Sequence, residues 1–150
     1  MSKRDYRKGM LPFQFIPIPK DVLSSPEWLN LPHNARALAT DLMSQYTGKN
    51  NGRLCPGFQV MKRYGWTSKQ TLTRAKNALL ECSFVVRTRL GHAPRTAEWI
   101  GFTWWKLDYD KSMDIIDPRD FPYLNFIRVE RLDPNEGRVK PAVREVRKPD

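Results

Sequence analysis

The chain has 150 residues, with 26 Lys and Arg against 16 Asp and Glu, so its formal net charge is +10 and its pI is near 9.9. That length holds one domain with a core and an appendage and crowds two; no apolar run approaches the ~20 residues that span a bilayer, the N-terminus lacks the apolar segment of a leader, and Cys55 and Cys82 stand without metal-ligand spacing. A polyanion is therefore the first partner to consider, with a reducing cytoplasm as the expected location, and no membrane partner, metal or cofactor is expected.

Residues 1–19 carry Lys3, Arg4, Arg7 and Lys8 against Asp5. This basic arm either lies along phosphates or is a solvated terminus. Phe13, Phe15, Ile16 and Ile18 alternate with Pro12, Pro17 and Pro19, which disfavours a helix and predicts an extended strap across the core. Asp21 to Trp28 reads as a short helical turn broken at Pro26, with Trp28, Leu29 and Leu31 as anchors. From about Pro32 to Tyr46, Ala35, Leu38, Ala39, Leu42, Met43 and Tyr46 recur at helical spacing and predict a buried stripe. Gly48, Asn50, Asn51 and Gly52 then make the strongest turn signal, followed by Arg53 and Leu54 in an extended link. Pro56 suits the first turn of a helix.

Gly57 to Glu81 reads as two helices around Gly65, Trp66 and Thr67. Phe58, Met61 and Tyr64 are spaced to pack inward from the first; Leu72, Ala75 and Leu79 do the same in the second. Gly65 supplies a left-handed end, and Thr67 with Gln70 fits a capping box. A short Gly-containing turn between two helices, followed by a small and basic exposed face, is the pattern of a helix-turn-helix. Phe84 to Arg89 is rich in branched residues: with Phe84, Val86 and Thr88 inward, Val85, Arg87 and Arg89 face outward. Gly91 and Pro94 mark a hairpin connection, and Glu98 to Lys106 is its return strand, with Ile100, Phe102 and Trp104 on one side and Trp99 and Trp105 on the other. Helices followed by a basic hairpin make a wing. The expected fold is therefore α+β, mainly α: a three-helix core with a two-stranded wing over residues 20–106. Those residues hold thirteen basic and five acidic side chains, the largest part of the excess charge.

From Asp108 to Asp120 five aspartates meet only Lys111 and Arg119, which marks a boundary and an acidic linker beginning at 107. These aspartates could suggest metal-dependent nuclease chemistry, but a connector is a poor frame for it, and no glycine loop cradles phosphate, so no enzyme is expected. Phe121 to Leu132 has the residues of a strand or a helix, and its periodicity does not decide between them. Pro134 to Asp150 has no core-forming run and is expected to be disordered alone.

With these parts in place the chain resembles the small winged helix-turn-helix proteins of phages, plasmids and integrative elements, including the N-terminal domains of replication initiators. The resemblance rests on Phe13, Ile16-Pro17, Ser25, Trp28, Leu31, Ala35-Arg36, Leu38, Tyr46, Asn50-Asn51-Gly52, Gly65-Trp66-Thr67-Ser68, Thr71-Leu72, Arg74-Ala75 and Leu79, and covers roughly residues 13 to 106. Where such proteins tend to place Gly after the second helix this chain has Cys82 and Ser83, and a left-handed cap there would cost on the order of 1 kcal/mol.

For such a fold the front of the second helix would enter the major groove of double-stranded DNA, with Ser68, Lys69, Gln70, Thr73 and Arg74 placed to read bases. Gln70 could not close a capping box and read a base fully at once. Lys62, Arg63, Thr71, Asn77, Arg87, Arg89, His92 and Arg95 would hold the backbone or enter the minor groove. Trp99, Trp104 and Trp105 fit core or a subunit interface better than base stacking, and Trp66 fits a plug between the helices. The expected function is sequence-specific binding of duplex DNA, as a dimer or array on repeated sites, by a transcriptional regulator of a mobile genetic element. One rival is a replication initiator or origin-binding accessory whose residues 107–150 recruit a protein partner. The other is a winged-helix interaction module for an acidic partner.

Overall fold

The computed structural model describes residues 14–92, 94–124, 131–132 and 139–140. The basic arm and most of the C-terminal tail, with the expectations placed on them, lie outside the described residues. The described chain is α+β and mainly helical: five α-helices and a two-stranded antiparallel sheet build the body, and a second short pair, Arg131–Leu132 with Val139–Lys140, follows.

The strap from residue 14 has no regular structure; Ile16 and Ile18 pack on the core, and the Trp105 Nε1 donates to the Pro17 carbonyl at 3.2 Å. The expected single turn before Trp28 is two, α1 (Lys20–Leu23) and α2 (Pro26–Leu29), because Pro26 starts a helix at its first position where a missing amide does no harm. The Ser25 hydroxyl caps α2 by accepting from the Trp28 amide. Trp28 and Leu31 are buried as expected, but Leu29 is 57% exposed, since a four-residue helix has room for one inward anchor. Arg36 covers the C-terminal carbonyls of α2, donating to Trp28 O at 3.0 Å and Leu29 O at 2.7 Å.

Helix α3 (His33–Ser44) buries Ala35, Leu38, Ala39, Leu42 and Met43. Tyr46 lies just past it and stacks on Trp105 with centroids 3.8 Å apart. The turn at Gly48 and Gly52 is present, both with positive φ, yet Asn51 inside it is fully buried. Its Nδ2 donates to the Phe102, Trp105 and Lys106 carbonyls, and its Oδ1 accepts from the Phe102 amide. One amide side chain thus closes the α3 turn onto the end of the sheet. The sequence marked Asn51 only as a turn residue.

Pro56 precedes α4 (Phe58–Met61) instead of opening it, and Gly57 is the N-cap. One 3₁₀ turn, Lys62–Tyr64, continues α4 to Gly65, whose φ of 92° is the expected left-handed end. Met61 is buried while Tyr64, expected inward, is 39% exposed: it is the last residue before the chain reverses at Gly65. Helix α5 (Lys69–Leu80) buries Leu72, Ala75 and Leu79 and packs on α3.

Strands β1 (Val85–Arg89) and β2 (Trp99–Phe102) pair from Val85↔Phe102 to Arg89↔Trp99, with an irregularity between Arg87 and Arg89. Val85 is buried and Val86 half-buried, against the expected alternation: Val85 sits next to α5 and the core, and the irregularity at Thr88 resets the faces. Thr88 is fully buried and its hydroxyl donates to the Gly52 carbonyl. Leu54 adds a third rung through paired bonds with Ile100, at 3.2 and 2.9 Å. The return strand stops at Phe102, earlier than expected, and the chain turns, so Trp104 and Trp105 are both buried and meet edge to face at 5.7 Å.

Beyond Leu107 the acidic segment is tied to the body at two points. Asp108 accepts from the Asn51 amide at 2.8 Å, and Asp114 accepts from the Leu90 amide at 2.7 Å. Met113 and Phe121 are buried, and Gly52 is glycine for this reason as well as its φ of 100°: a Cβ there would lie 2.8 Å from the Met113 methyl and 2.6 Å from Leu107.

Candidate functional site

The surface of interest begins at the turn after Gly65. Trp66 folds back so that its amide donates to Met61 O at 3.3 Å, while its Nε1 donates to Asp41 Oδ2 on α3 at 2.8 Å. The ring is half-buried against the core cluster, the plug its position suggested. This anchor sets where α5 starts.

The helix starts one residue later than the expected capping box requires. Ser68, not Thr67, is the N-cap: its backbone is extended and its Oγ accepts from the Thr71 amide at 3.2 Å. With Thr71 at the third helical position, the reciprocal half of a capping box has no side chain to make it, and Gln70 is released from that role. The conflict between capping and recognition at Gln70 therefore disappears.

Ser68, Lys69, Gln70, Thr73, Arg74 and Asn77 are all exposed, and Thr71 is half-buried. At 100° per residue Lys69, Gln70, Thr73, Arg74 and Asn77 span one face of α5, opposite Leu72, Ala75 and Leu79, whereas Ser68 at the cap lies in line with Leu72 and Thr71 borders the buried side. Within that face Thr73 donates its hydroxyl to Lys69 O at 2.9 Å, which leaves its methyl and oxygen lone pairs outward. Beyond the Thr71 amide that Ser68 caps, the front of α5 presents the positive end of the helix dipole. Lys62 and Arg63, on the preceding 3₁₀ turn, are both exposed, with the Lys62 ammonium 5.1 Å from the Phe58 ring centroid.

The hairpin cations divide into two kinds. Arg87 donates through Nε to Glu98 Oε1 at 2.7 Å, and Lys76 of α5 reaches Glu98 Oε2 at the same distance. Arg89 lies flat over Trp99, 3.3 Å from its ring centroid, and donates to Ala97 O at 2.8 Å. His92 and Arg95, at the tip, are exposed, with their backbone closed by the His92↔Thr96 bridge. The geometry thus gathers Lys69, Gln70, Thr73, Arg74 and Asn77 on one helix face, leaves Ser68 exposed at the helix end in line with the buried stripe, and sets Arg95 and His92 apart at the hairpin tip. Arg87 and Arg89 are engaged within the hairpin itself. The sequence places Lys76 with the exposed residues of the second helix and Glu98 only at the start of the return strand, whereas Lys76 is half-buried and the two join helix to hairpin; neither this pair nor Asp41 with Trp66 is marked by local spacing, since the partners are 22 and 25 positions apart.

The exit of α5 needs no left-handed residue. Glu81 closes it in helical conformation, and Glu27 of α2 accepts from the Ser83 amide at 2.8 Å and hydroxyl at 2.9 Å. A carboxylate from another element satisfies groups that glycine geometry would otherwise satisfy. The Cys82 thiol beside it is pushed up to about 11 by burial, then by Glu27 and Glu81.

Among the described residues no group of three or more His, Cys, Asp or Glu is arranged to hold a metal ion, and no helix is long and apolar enough to cross a membrane. Comparison with protein-family models, with curated proteins and with solved structures finds no match for the chain.

Proposed function

We propose that the chain is a winged helix-turn-helix protein that binds specific sequences in duplex DNA and serves as a transcriptional regulator of a mobile genetic element. In this reading α3, α4 and α5 are the three-helix core, α5 is the reading helix, and the β1–β2 hairpin is the wing. The observation that carries it is the outward face of α5. Five polar side chains at its front, two of them cationic, are exposed around a Ser68-capped helix N-terminus, on a helix whose opposite face is locked to α3.

A helix of this width fits a major groove about 12 Å across, where Lys69 and Arg74 can address guanine O6 and N7 and Gln70 can address adenine. The net charge of +10 supplies sequence-independent attraction to phosphates. One such module makes a small interface, roughly 600 to 1,000 Å², so tight specificity calls for a second copy on a repeated site.

The test is selection of bound fragments from genomic DNA by the purified full chain, followed by footprinting. A discrete protected sequence over a promoter supports the reading. Protection of iterated origin repeats moves the role to replication initiation. No enrichment of any DNA fragment, even at low ionic strength, overturns the reading.

A further inference from the structure

Between α5 and the hairpin sits one carboxylate with two cations closed on it. The two oxygens of Glu98 are each 2.7 Å from a cationic nitrogen, Lys76 Nζ from the helix and Arg87 Nε from β1. Glu98 is 13% exposed in its side chain, while Lys76 and Arg87 are 22% and 39% exposed, so the anion lies deeper than the cations that cover it. Gly91 lets the backbone at Glu98, just before β2, come this close: a Cβ at 91 would stand 2.9 Å from the Glu98 amide nitrogen and 3.0 Å from its Cβ, and neither can move without shifting backbone.

The position of this group matters more than its strength. Lys76 is one position C-terminal to buried Ala75 and on the flank of α5 that faces β1, bordering the exposed face through Lys69. A nucleic-acid strand lying between the reading helix and the wing would pass over this crease, and a phosphate there would find two cations already neutralised by half. A carboxylate at such a point repels phosphate from every sequence equally, while the two ion pairs hold the wing at a fixed angle to α5.

Resting on the DNA-binding reading above, we propose that Glu98 is a specificity-determining residue: an internal anion that occupies a phosphate position between α5 and the hairpin. It withholds Lys76 and Arg87 from sequence-independent contacts, so base reading by the front of α5 decides which duplex is held. Removing its charge raises affinity for arbitrary DNA more than for the preferred site.

The experiment compares the full-length wild type with Glu98→Gln, Glu81→Gln and the double variant Glu98→Gln with Lys76→Gln. Each is titrated into a selected duplex and into an arbitrary duplex of equal length across a series of salt concentrations. Glu81 is exposed at the far end of α5, so its variant makes the same change in net charge away from the crease. For E98Q the expected result is a roughly fivefold or greater gain on arbitrary duplex near 0.1 M salt, with the salt slope steeper by about 0.9 for each phosphate newly contacted. E81Q should give a smaller gain and an unchanged slope, and adding Lys76→Gln to E98Q should return most of the gain. Equal affinity of E98Q and wild type for arbitrary duplex overturns the proposal, as does a parallel loss on both duplexes or a variant that no longer folds, either of which would make the carboxylate a structural tie. A wild type that binds neither duplex overturns the DNA-binding reading itself, and is distinguished by that.

Discussion

The indole Nε1 of Trp66 donates to Asp41 across 25 positions of sequence, and this bond fixes the turn before α5 to the middle of α3. Asp41 is half-buried, so the bond is to a charged acceptor with restricted access to water. Such bonds contribute about 1.5 to 3 kcal/mol. Asp41→Ala should therefore lower unfolding free energy by about 1 to 2 kcal/mol in a urea titration, with Trp66→Phe producing a similar loss. A midpoint shared with wild type would mean that packing alone holds the turn.

Asn51 is the next tie in order of consequence. It is fully buried and makes four hydrogen bonds to the chain between Phe102 and Lys106. Asn51→Ala takes the side-chain partner from the buried Phe102 amide and Trp105 carbonyl, each costing ~1 to 3 kcal/mol, while Phe102 O keeps the Trp105 amide as a donor. The expected loss is about 3 kcal/mol or more, seen as a large drop in melting temperature. Asn51→Ser with a loss under 1 kcal/mol would show that water replaces the side chain, contrary to this account.

What could be read from the sequence alone follows from how far each interaction reaches along the chain. The stripe of α3, the inward face of α5 and the left-handed Gly65 are periodic or single-residue signals, and each lies within one element. The inward spacing of Tyr64 ends at the reversal of Gly65, and α5 starts at Ser68 because Thr67 and Ser68 are both capable caps between which local spacing does not choose. Val85 and Trp105 escaped the two-residue alternation because an irregular strand and an early turn reset it. The exposed residues proposed to read bases were legible as a group, since exposure on a helix is the complement of its buried stripe. Glu98, Asn51 and Glu27 were not legible in their roles: each acts on partners more than twenty residues away or from another element.

If the front of α5 reads bases, its side chains can be removed without touching the core. Lys69 and Arg74 are exposed, and neither faces α3. Lys69→Ala with Arg74→Ala should leave the thermal transition within about 0.5 kcal/mol of wild type. Preference for a selected duplex over an arbitrary one should fall at least tenfold, since a good bidentate base contact supplies ~1 to 3 kcal/mol of discrimination. A competition assay with unchanged preference would remove these residues from the reading role.

The wing arginines should not behave alike. Arg87 is held by Glu98 and Arg89 is stacked on Trp99, whereas Arg95 is exposed at the tip. Arg95→Ala should weaken binding to all sequences and flatten the salt dependence by about 0.9 in slope, the loss of one phosphate. Arg87→Ala should change the slope less and cost stability instead, because it leaves Glu98 with one partner. Titrations in which Arg87→Ala flattens the slope more than Arg95→Ala would reverse this assignment.

Cys82 gives a prediction that needs no ligand. Burial first, then Glu27 and Glu81, raise its thiol to about 11 in the folded chain, and its Sγ lies 3.5 Å from Ala78 O at the end of α5. The folded state therefore keeps the proton to higher pH than the unfolded chain does. Because the folded value is the higher one, the stability linked to this proton is fully present below the unfolded value near 9 and is lost as pH rises towards 11. Cys82→Ala should flatten the decline in stability over that window relative to wild type. At pH 8 the folded thiol should react with iodoacetamide roughly a hundredfold more slowly than the same thiol in urea, the ratio set by the fraction present as thiolate. Peptide mapping by mass spectrometry reads both rates, and a folded Cys82 that alkylates as fast as the unfolded one would show that the two carboxylates and the surrounding side chains do not hold its proton.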